Sequence, residues 1–322
     1  MLRYILKRLL QMLPMLLIVS VISFFIVKLA PGDPLVALKM NPTVTQKTID
    51  MERQRLGLDQ PLPVQYWRWV SHAAIGDLGE SYTYKQPVLT LMGQRVGNTL
   101  ILGMSALVLT WLVALPLGIY CAVRQYSWVD KSASVGSYLA LGVPDYLMGL
   151  LLLMYAVAFR HFPVGGISSL DAADFGIFGR ILDTAHHLVL PAIAMGIGSI
   201  AILQRRMRGN LLDVLHEDYI RTARAKGLSE RAVTWRHAVR NAINPIITML
   251  GYELASLLSG AAFVEVIFSW PGLGNMMLEA VFANDYNLVM AGLVMSAGML
   301  MLGNLIADLL LAAVDPRIKL EA

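Results

Sequence analysis

Six stretches of this chain are apolar for about twenty residues each, the length a helix needs to cross the hydrocarbon core of a bilayer. They fall near Leu9–Ala30, Thr99–Val123, Ser134–Phe159, Leu188–Leu203, Ile246–Phe268 and Leu288–Val314. Runs this long exclude a barrel, whose strands alternate over about ten residues. With 57% hydrophobic and 15% charged residues and a mean hydropathy of +0.60, the chain lies outside the range of soluble domains. The expectation is an all-α integral membrane protein with six transmembrane helices. The first window follows Arg3, Lys7 and Arg8, as a signal peptide would, but its apolar run exceeds a signal core. Lys28 also stands where small residues would precede a cleavage site, so this segment reads as a retained helix that starts inside the cell.

Lys and Arg set the orientation. They gather at the amino end, in the second-to-third loop (Arg124, Lys131), in the tail (Arg317, Lys319) and above all between the fourth and fifth windows. That last loop carries Arg205, Arg206, Arg208, Arg221, Arg224, Lys226, Arg231, Arg236 and Arg240, whereas the short loops on the other side hold Arg160 and Arg180. By the positive-inside rule both termini are cytoplasmic. The net charge of +4 is thereby assigned to topology and to the basic loop, and no nucleic-acid partner follows from it.

Several chemistries are excluded or left without support. Cys121 is the single cysteine, so no internal disulfide forms. None of the six histidines pairs with a carboxylate or cysteine at ligand spacing, so no metal site is expected. The chain has no G-x-x-x-x-G-K-[ST] loop, so any ATP hydrolysis must occur on another polypeptide, and no cofactor is expected on this one. Neither G-x-S-G nor H-E-x-x-H occurs, which leaves a pore or carrier rather than an enzyme.

Within the basic loop, Glu217–Pro245 is written as two short helices. Glu217 and Asp218 sit in a first turn, with Arg221, Arg224 and Lys226 behind them, and Glu217 and Arg221 stand at i,i+4. Gly227 stops that helix as a residue free to take positive φ, and Ser229 caps a second helix that ends before Pro245. On charge alone this is an ordinary solvated loop. Inside the fifth window, Glu253, Ser256 and Gly260 recur at i, i+3 and i+7 and give one small, polar face. It lines a path or the seam with a partner, or Glu253 is held by structural hydrogen bonds.

The stretch Tyr219–Asn241 resembles the coupling loop of binding-protein-dependent ABC importer permeases. Of the general E-A-A-x3-G-x9-I-x-L-P pattern, only Gly227 and one Ala match strictly, but the R-T-A-x-A-K-G form is similar to the dipeptide, oligopeptide and nickel family. Other landmarks agree in order: the opening LRYILKRLLQMLP, Pro31-Gly32-Asp33-Pro34, LGLDQPL at Leu56–Leu62, GDLGESY at Gly76–Tyr82, FSWPGLG at Phe268–Gly274 and Asp315-Pro316-Arg317. The long first external loop resembles the first-type (B-type) permease subunit.

The resemblance implies a type I ABC importer permease fold in a bacterial inner membrane. It divides the chain into a first helix and external loop (1–97), a five-helix permease core with coupling loop 205–245 (98–314) and a cytoplasmic tail (315–322). It also implies a second, homologous permease, two cytoplasmic ATPases that hold ATP and Mg, and an external or periplasmic solute-binding protein, all around a subunit embedded in membrane lipid. Residues Glu217, Asp218, Tyr219, Ile220, Arg221, Thr222, Ala223, Arg224, Ala225, Lys226 and Gly227 would couple to an ATPase. Ile220 and Ala223 would offer it an apolar face, and Arg221 and Arg224 paired donors. Trp67, Trp69, Tyr82 and Trp270 would meet the binding protein, with anchoring at the membrane interface as the other reading for the tryptophans. Peptides are the implied solute; nickel chelates, glutathione or another small solute are alternatives within the class. From a different class, an ion-driven secondary carrier would use Glu253 or Glu265 as a proton site and show inverted repeats, of which the sequence gives no sign.

Overall fold

The computed structural model describes residues 2–29, 32–40, 42–247, 249 and 262–314. In chain order its helices are α1 (Leu2–Leu29), α2 (Val36–Met40), α3 (Gln46–Arg55), α4 (Leu62–Ala74), α5 (Val88–Val123), α6 (Trp128–Gly142), α7 (Asp145–Phe159), α8 (Ile177–Leu215) and α9 (Asp218–Ala225). A wound segment over 230–242 and helices at Ala262–Ile267, Leu273–Phe282 and Tyr286–Val314 follow. Among the described residues no strand forms, only an isolated bridge between Glu80 and Pro87.

Among the described residues four helices are long and apolar enough to cross a membrane, namely α1, α5, α8 and the last one; α6 and α7 make a fifth span if counted together. The window Ile246–Phe268 lies largely outside the described residues, and so do Glu253, Ser256 and Gly260. Pro14, Pro116 and Pro191 sit inside α1, α5 and α8 without ending them, as membrane helices allow. Pro144 behaves differently. Val143 before it is extended (φ −107°, ψ 119°), as a residue preceding proline prefers, and α6 and α7 meet there at 106°. The third window is thus two half-length helices rather than one rod.

The chain divides into two compact units, Met1–Asn98 with Gly272–Leu302 and Leu320–Ala322, and Thr99–Pro271 with Gly303–Lys319. In the first unit, α4 lies on α1. Tyr66 hydrogen-bonds Ser20 at 2.9 Å and meets the Phe24 ring edge-on at 5.4 Å. Phe24, Val27, Met92, Met276 and Leu288 form the buried core. Two of the sequence landmarks converge on the turn before the last helix. Asp285, fully buried, accepts hydrogen bonds from Ser81 Oγ (2.5 Å), Thr83 N (3.0 Å) and Leu288 N (3.2 Å). It therefore caps the Tyr286–Val314 helix and anchors the GDLGESY loop with one carboxylate. Tyr286 OH donates to Gly32 O and Asn287 Nδ2 to Glu80 O, both at 2.9 Å.

In the second unit, α6 and α7 pack on α8. Ser127 caps α6 through the Asp130 N–H, and the Asp130 carboxylate takes a two-pronged ion pair from Arg208 of α8 at 2.6 and 2.9 Å. A second core joins Leu102, Ala156, Leu190, Ala194, Val264, Phe268 and Trp270. The FSWPGLG segment places the Phe268 and Trp270 side chains in it and is held by backbone bonds: Gly166 N–H donates to Phe268 O (2.9 Å), and Trp270 N–H to Glu265 O (2.7 Å). Glu265 itself is buried and accepts from Thr99 Oγ1 at 2.6 Å.

A Cβ at Gly165 would lie 2.6 Å from the Phe268 carbonyl oxygen, whereas one at Gly136 in α6 would meet nothing within 4 Å. Gly165→Ala should therefore cost about 1–3 kcal/mol through displaced backbone. Gly136→Ala, which adds helix propensity of up to ~1 kcal/mol, should be neutral or stabilising. Thermal unfolding of the purified variants checks the pair, and equal melting temperatures would contradict the close approach.

Candidate functional site

The basic loop folds as the charge pattern and stop signals predict. The α9 helix covers Asp218–Ala225, with Glu217 at its N-cap, where the backbone carbonyl accepts from Ile220 N and Arg221 N. At the other end Gly227 has φ +77°. Its N–H donates to Arg224 O (2.9 Å) while Leu228 N–H reaches Ala223 O (3.4 Å). That pair of bonds is the Schellman ending, in which the residue after the cap takes the left-handed conformation glycine tolerates best. Ser229 caps the next segment through the Ala232 N–H at 3.4 Å.

That next segment is not the plain helix expected from sequence. Val233–Val239 is wound as a π-helix between short α turns at Glu230–Ala232 and Arg240–Ala242. With i→i+5 bonding, residues five apart come to the same face. This wider turn explains how Val233 and Ala238, and Thr234 and Val239, are buried together. Trp235 is left exposed, as is Arg236.

The packing of α9 corrects one expectation. Ile220 and Ala223 do not face a partner: Ile220 is completely buried and Ala223 nearly so. They join a cluster with Ala114 and Ile119 of α5, Leu203, Met207 and Leu211 of α8, and Val233, Ala238 and Val239 of the π segment. The two apolar residues on this short helix therefore fasten it to its own chain. Burial of Ile220 alone contributes about 1.5–3 kcal/mol. Tyr219 adds a polar tie, accepting from Asn241 Nδ2 at 3.1 Å.

The outward surface is polar and cationic. Arg221 pairs with Asp218 (3.3 Å), not with Glu217 as the i,i+4 spacing suggested. Both side chains are well exposed, so the pair contributes at most about 1 kcal/mol and leaves Arg221 available. Arg224 is differently placed: its fork holds Glu230 at 2.9 and 3.3 Å and bridges α9 to the segment that follows. Thr222 folds its hydroxyl back onto Asp218 O at 2.9 Å. Ala225, Lys226 and Gly227 are exposed, and Leu228 is 41% exposed. Nothing lies within 4 Å of a Cβ built on Gly227, so the helix end presents bare backbone to solvent.

The residues expected at a binding-protein surface separate. Trp67 is 72% exposed. Trp69 and Tyr82 are partly buried against the first unit's core. Burial pushes the Tyr82 phenol well above its usual range, with Asp285 adding to the effect, so it stays neutral. Trp270 is completely buried in the second unit's core and has no surface to present to a partner or to lipid. Sequence reasoning passed over Asp285, because its partner Ser81 lies 204 residues away.

Apolar spans, interrupted by a cationic helix that is fastened to them, define a membrane permease subunit. Residues 114–320 match the family described as binding-protein-dependent transport system inner membrane component, and residues 1–103 match the N-terminal domain of the same kind of component. The chain belongs to this family of importer permeases. It is 42% identical to the oligopeptide transport system permease protein AppB of Bacillus subtilis, over 98% of this chain and 99% of that one. It is 39% identical to a putative peptide permease protein of Brucella suis, over 99% of each. Identity to the glutathione transport system permease protein GsiC of Salmonella typhimurium is 37%, again over 99% of each.

If α9 is fastened as described, Ile220→Ala should lower stability by about 2–5 kcal/mol. Lys226→Ala, on the exposed face, should change it by less than about 0.5 kcal/mol. Denaturation of the two variants in detergent checks this, and an unaffected Ile220→Ala protein would mean that α9 is not packed on α5 and α8.

Proposed function

We propose that this chain forms, with a homologous second permease, the path for peptide uptake, driven by two ATPases, one of which docks on the exposed face of α9. The carrying observation is the geometry of that helix: one face is locked into the chain's own core, and the other offers Arg221, Lys226 and the bare backbone at Gly227 to solvent. A partner that grips the outer face moves α8 and α5 with it, because buried side chains connect them. Arg221 suits carboxylates on the ATPase, while Arg224 keeps the loop in shape through Glu230. ATP and Mg belong to those partner subunits, and this chain is a transport subunit rather than a catalyst.

Peptide is the proposed solute because relatives along the full length carry oligopeptide, peptide and glutathione transport names. Glutathione is itself a γ-linked tripeptide, so these solutes share a small amide skeleton with terminal carboxylates. A solute-binding protein would deliver the solute from outside, to a surface that includes Trp67. In this reading both termini and α9 are cytoplasmic, and α2–α4 are external. The ion-driven carrier is not favoured, since Glu265 is already engaged by Thr99 in a buried pair and the family is binding-protein-dependent.

Orientation is tested with single cysteines, made easy by a native Cys121 that is buried. Cysteines at Gln46 and Asp171, both exposed, should react with an impermeant maleimide in intact cells. One at Glu230 should react only after the membrane is opened. Labelling of Glu230 in intact cells would reverse the assignment.

Coupling is tested by peptide uptake into vesicles holding both permeases, the ATPases and the binding protein. Uptake should require ATP and both ATPases. Gly227→Val places a β-branched residue at positive φ, a strain of about 1–2 kcal/mol, and should assemble yet lose most uptake. Arg221→Glu should do the same by reversing the contact charge. Normal uptake by both assembled variants would show that energy enters elsewhere.

A further inference from the structure

The first unit contains a cavity of about 220 Å³, bounded by the end of α1, α4, the 55–60 turn, the 77–82 loop and the start of the last helix. Its chemistry is one-sided. Lys28 of α1 lines it, with its ammonium 4.9 Å from the centre of the Tyr286 ring and 5.8 Å from that of Phe24. Among the described residues it has no carboxylate partner. Arg68 of α4 lines it too, its guanidinium against Gly57 and likewise without an ion pair among the described residues. Arg55 completes a third cationic edge, partly occupied by Glu52 at 2.6 Å.

Two further observations point to a missing acceptor. The indole Nε1 of Trp69, which lines the same cavity, is buried and has no hydrogen-bond partner. A buried N–H without an acceptor is costly, and native structures rarely leave one unmet. The carboxylate in the lining, Asp77, is already held by His72 Nδ1 at 3.0 Å and by the Gly79 N–H at 2.9 Å. The cavity therefore gathers positive charge that no carboxylate in its lining neutralises, beside amide groups from Gln60, Gln65 and Asn287. Its aromatic walls (Phe24, Trp69, Tyr286) favour an apolar body beside the charge. The cavity has room for one charged group with a short apolar attachment.

We propose that this cavity is a binding site for a small oxyanion, a carboxylate or phosphate attached to an apolar group, held by Lys28, Arg68 and the indole N–H of Trp69. The ammonium and guanidinium supply charge, and the indole supplies a directional hydrogen bond in a desolvated wall. Two sources carry that chemistry: the free C-terminal carboxylate of a peptide, and the phosphate of an anionic phospholipid reaching in at the end of α1. The site does not depend on the transport reading, since it is defined within one unit of this chain.

The test uses the full-length chain purified in a neutral detergent. One arm titrates the tripeptide Ala-Ala-Phe and its C-terminal amide calorimetrically. The other measures phosphatidylglycerol retained on the protein by native mass spectrometry, before and after addition of that lipid. The expected result is near-stoichiometric binding of one of these anions, with the tripeptide amide at least about tenfold weaker than the acid if the peptide is the source. K28M and R68Q should each weaken binding of that anion by about tenfold or more, the ~1.4 kcal/mol of one lost charge contact. W69F keeps an aromatic ring in the wall but removes the N–H together with the five-membered ring of the indole; it should also weaken binding while the variant still folds, as read from its own melting curve, so it decides the matter if K28M folds poorly. Failure of both anions to bind would overturn the proposal. So would binding that is indifferent to K28M, R68Q and W69F, since that anion would be bound elsewhere. Neither result bears on ATP-driven uptake, which is read from the vesicle assay alone.

Discussion

A backbone amide inside hydrocarbon has nothing to bond to but its own chain, and this fact governs the molecule. It makes each long apolar run a helix, allows proline inside α1, α5 and α8, and leaves irregular backbone to the segments between spans and to the one break at Pro144. Those segments are where the chemistry gathers: the cationic turn around α9, the GDLGESY loop and the cavity beside α4. A helix whose hydrogen bonds are all internal is also a stiff rod. A push at one end of α8 therefore arrives at the other with little lost along the way.

The attachment of α9 matters more than its charge. A short helix of eight residues is not stable by itself in water. It persists here because Ile220 and Ala223 are inserted among α5, α8 and the π segment. The cations on its outer face can then be arranged for a partner without having to hold the helix in place. Arg224 illustrates the division, since it spends its fork on Glu230 within the chain while Arg221 remains outward.

Much of this was legible in the sequence, for physical reasons that differ by element. The spans α1, α5, α8 and the last helix could be read because length and hydropathy alone specify a membrane helix. The bounds of α9 could be read because an acidic first turn, a basic last turn and Gly227 are local signals. The inward face of α9 could not, because Ile220 and Ala223 are only two apolar residues in a short helix and their spacing does not say which neighbour they meet. The π winding of Val233–Val239 escaped for a related reason: its buried pairs repeat at five residues, a period that an α-helical reading discards. The burial of Trp270, read from sequence as a surface residue, and the role of Asp285 escaped because their environments are built by contacts far along the chain, and the cavity around Trp69 because it needs α1, α4 and the last helix together. The polar stripe of Glu253, Ser256 and Gly260 lies outside the described residues.

The elbow at Pro144 has a consequence for the bilayer itself. The helices that meet there are 15 residues each, roughly 22 Å long at ~1.5 Å per residue, so neither spans a hydrocarbon core of about 30 Å. At their 106° junction the last carbonyls of α6 lose their helical partners. Lipid tails offer no substitute. Whatever covers that corner has to bring donors with it, either water or the polar surface of another subunit.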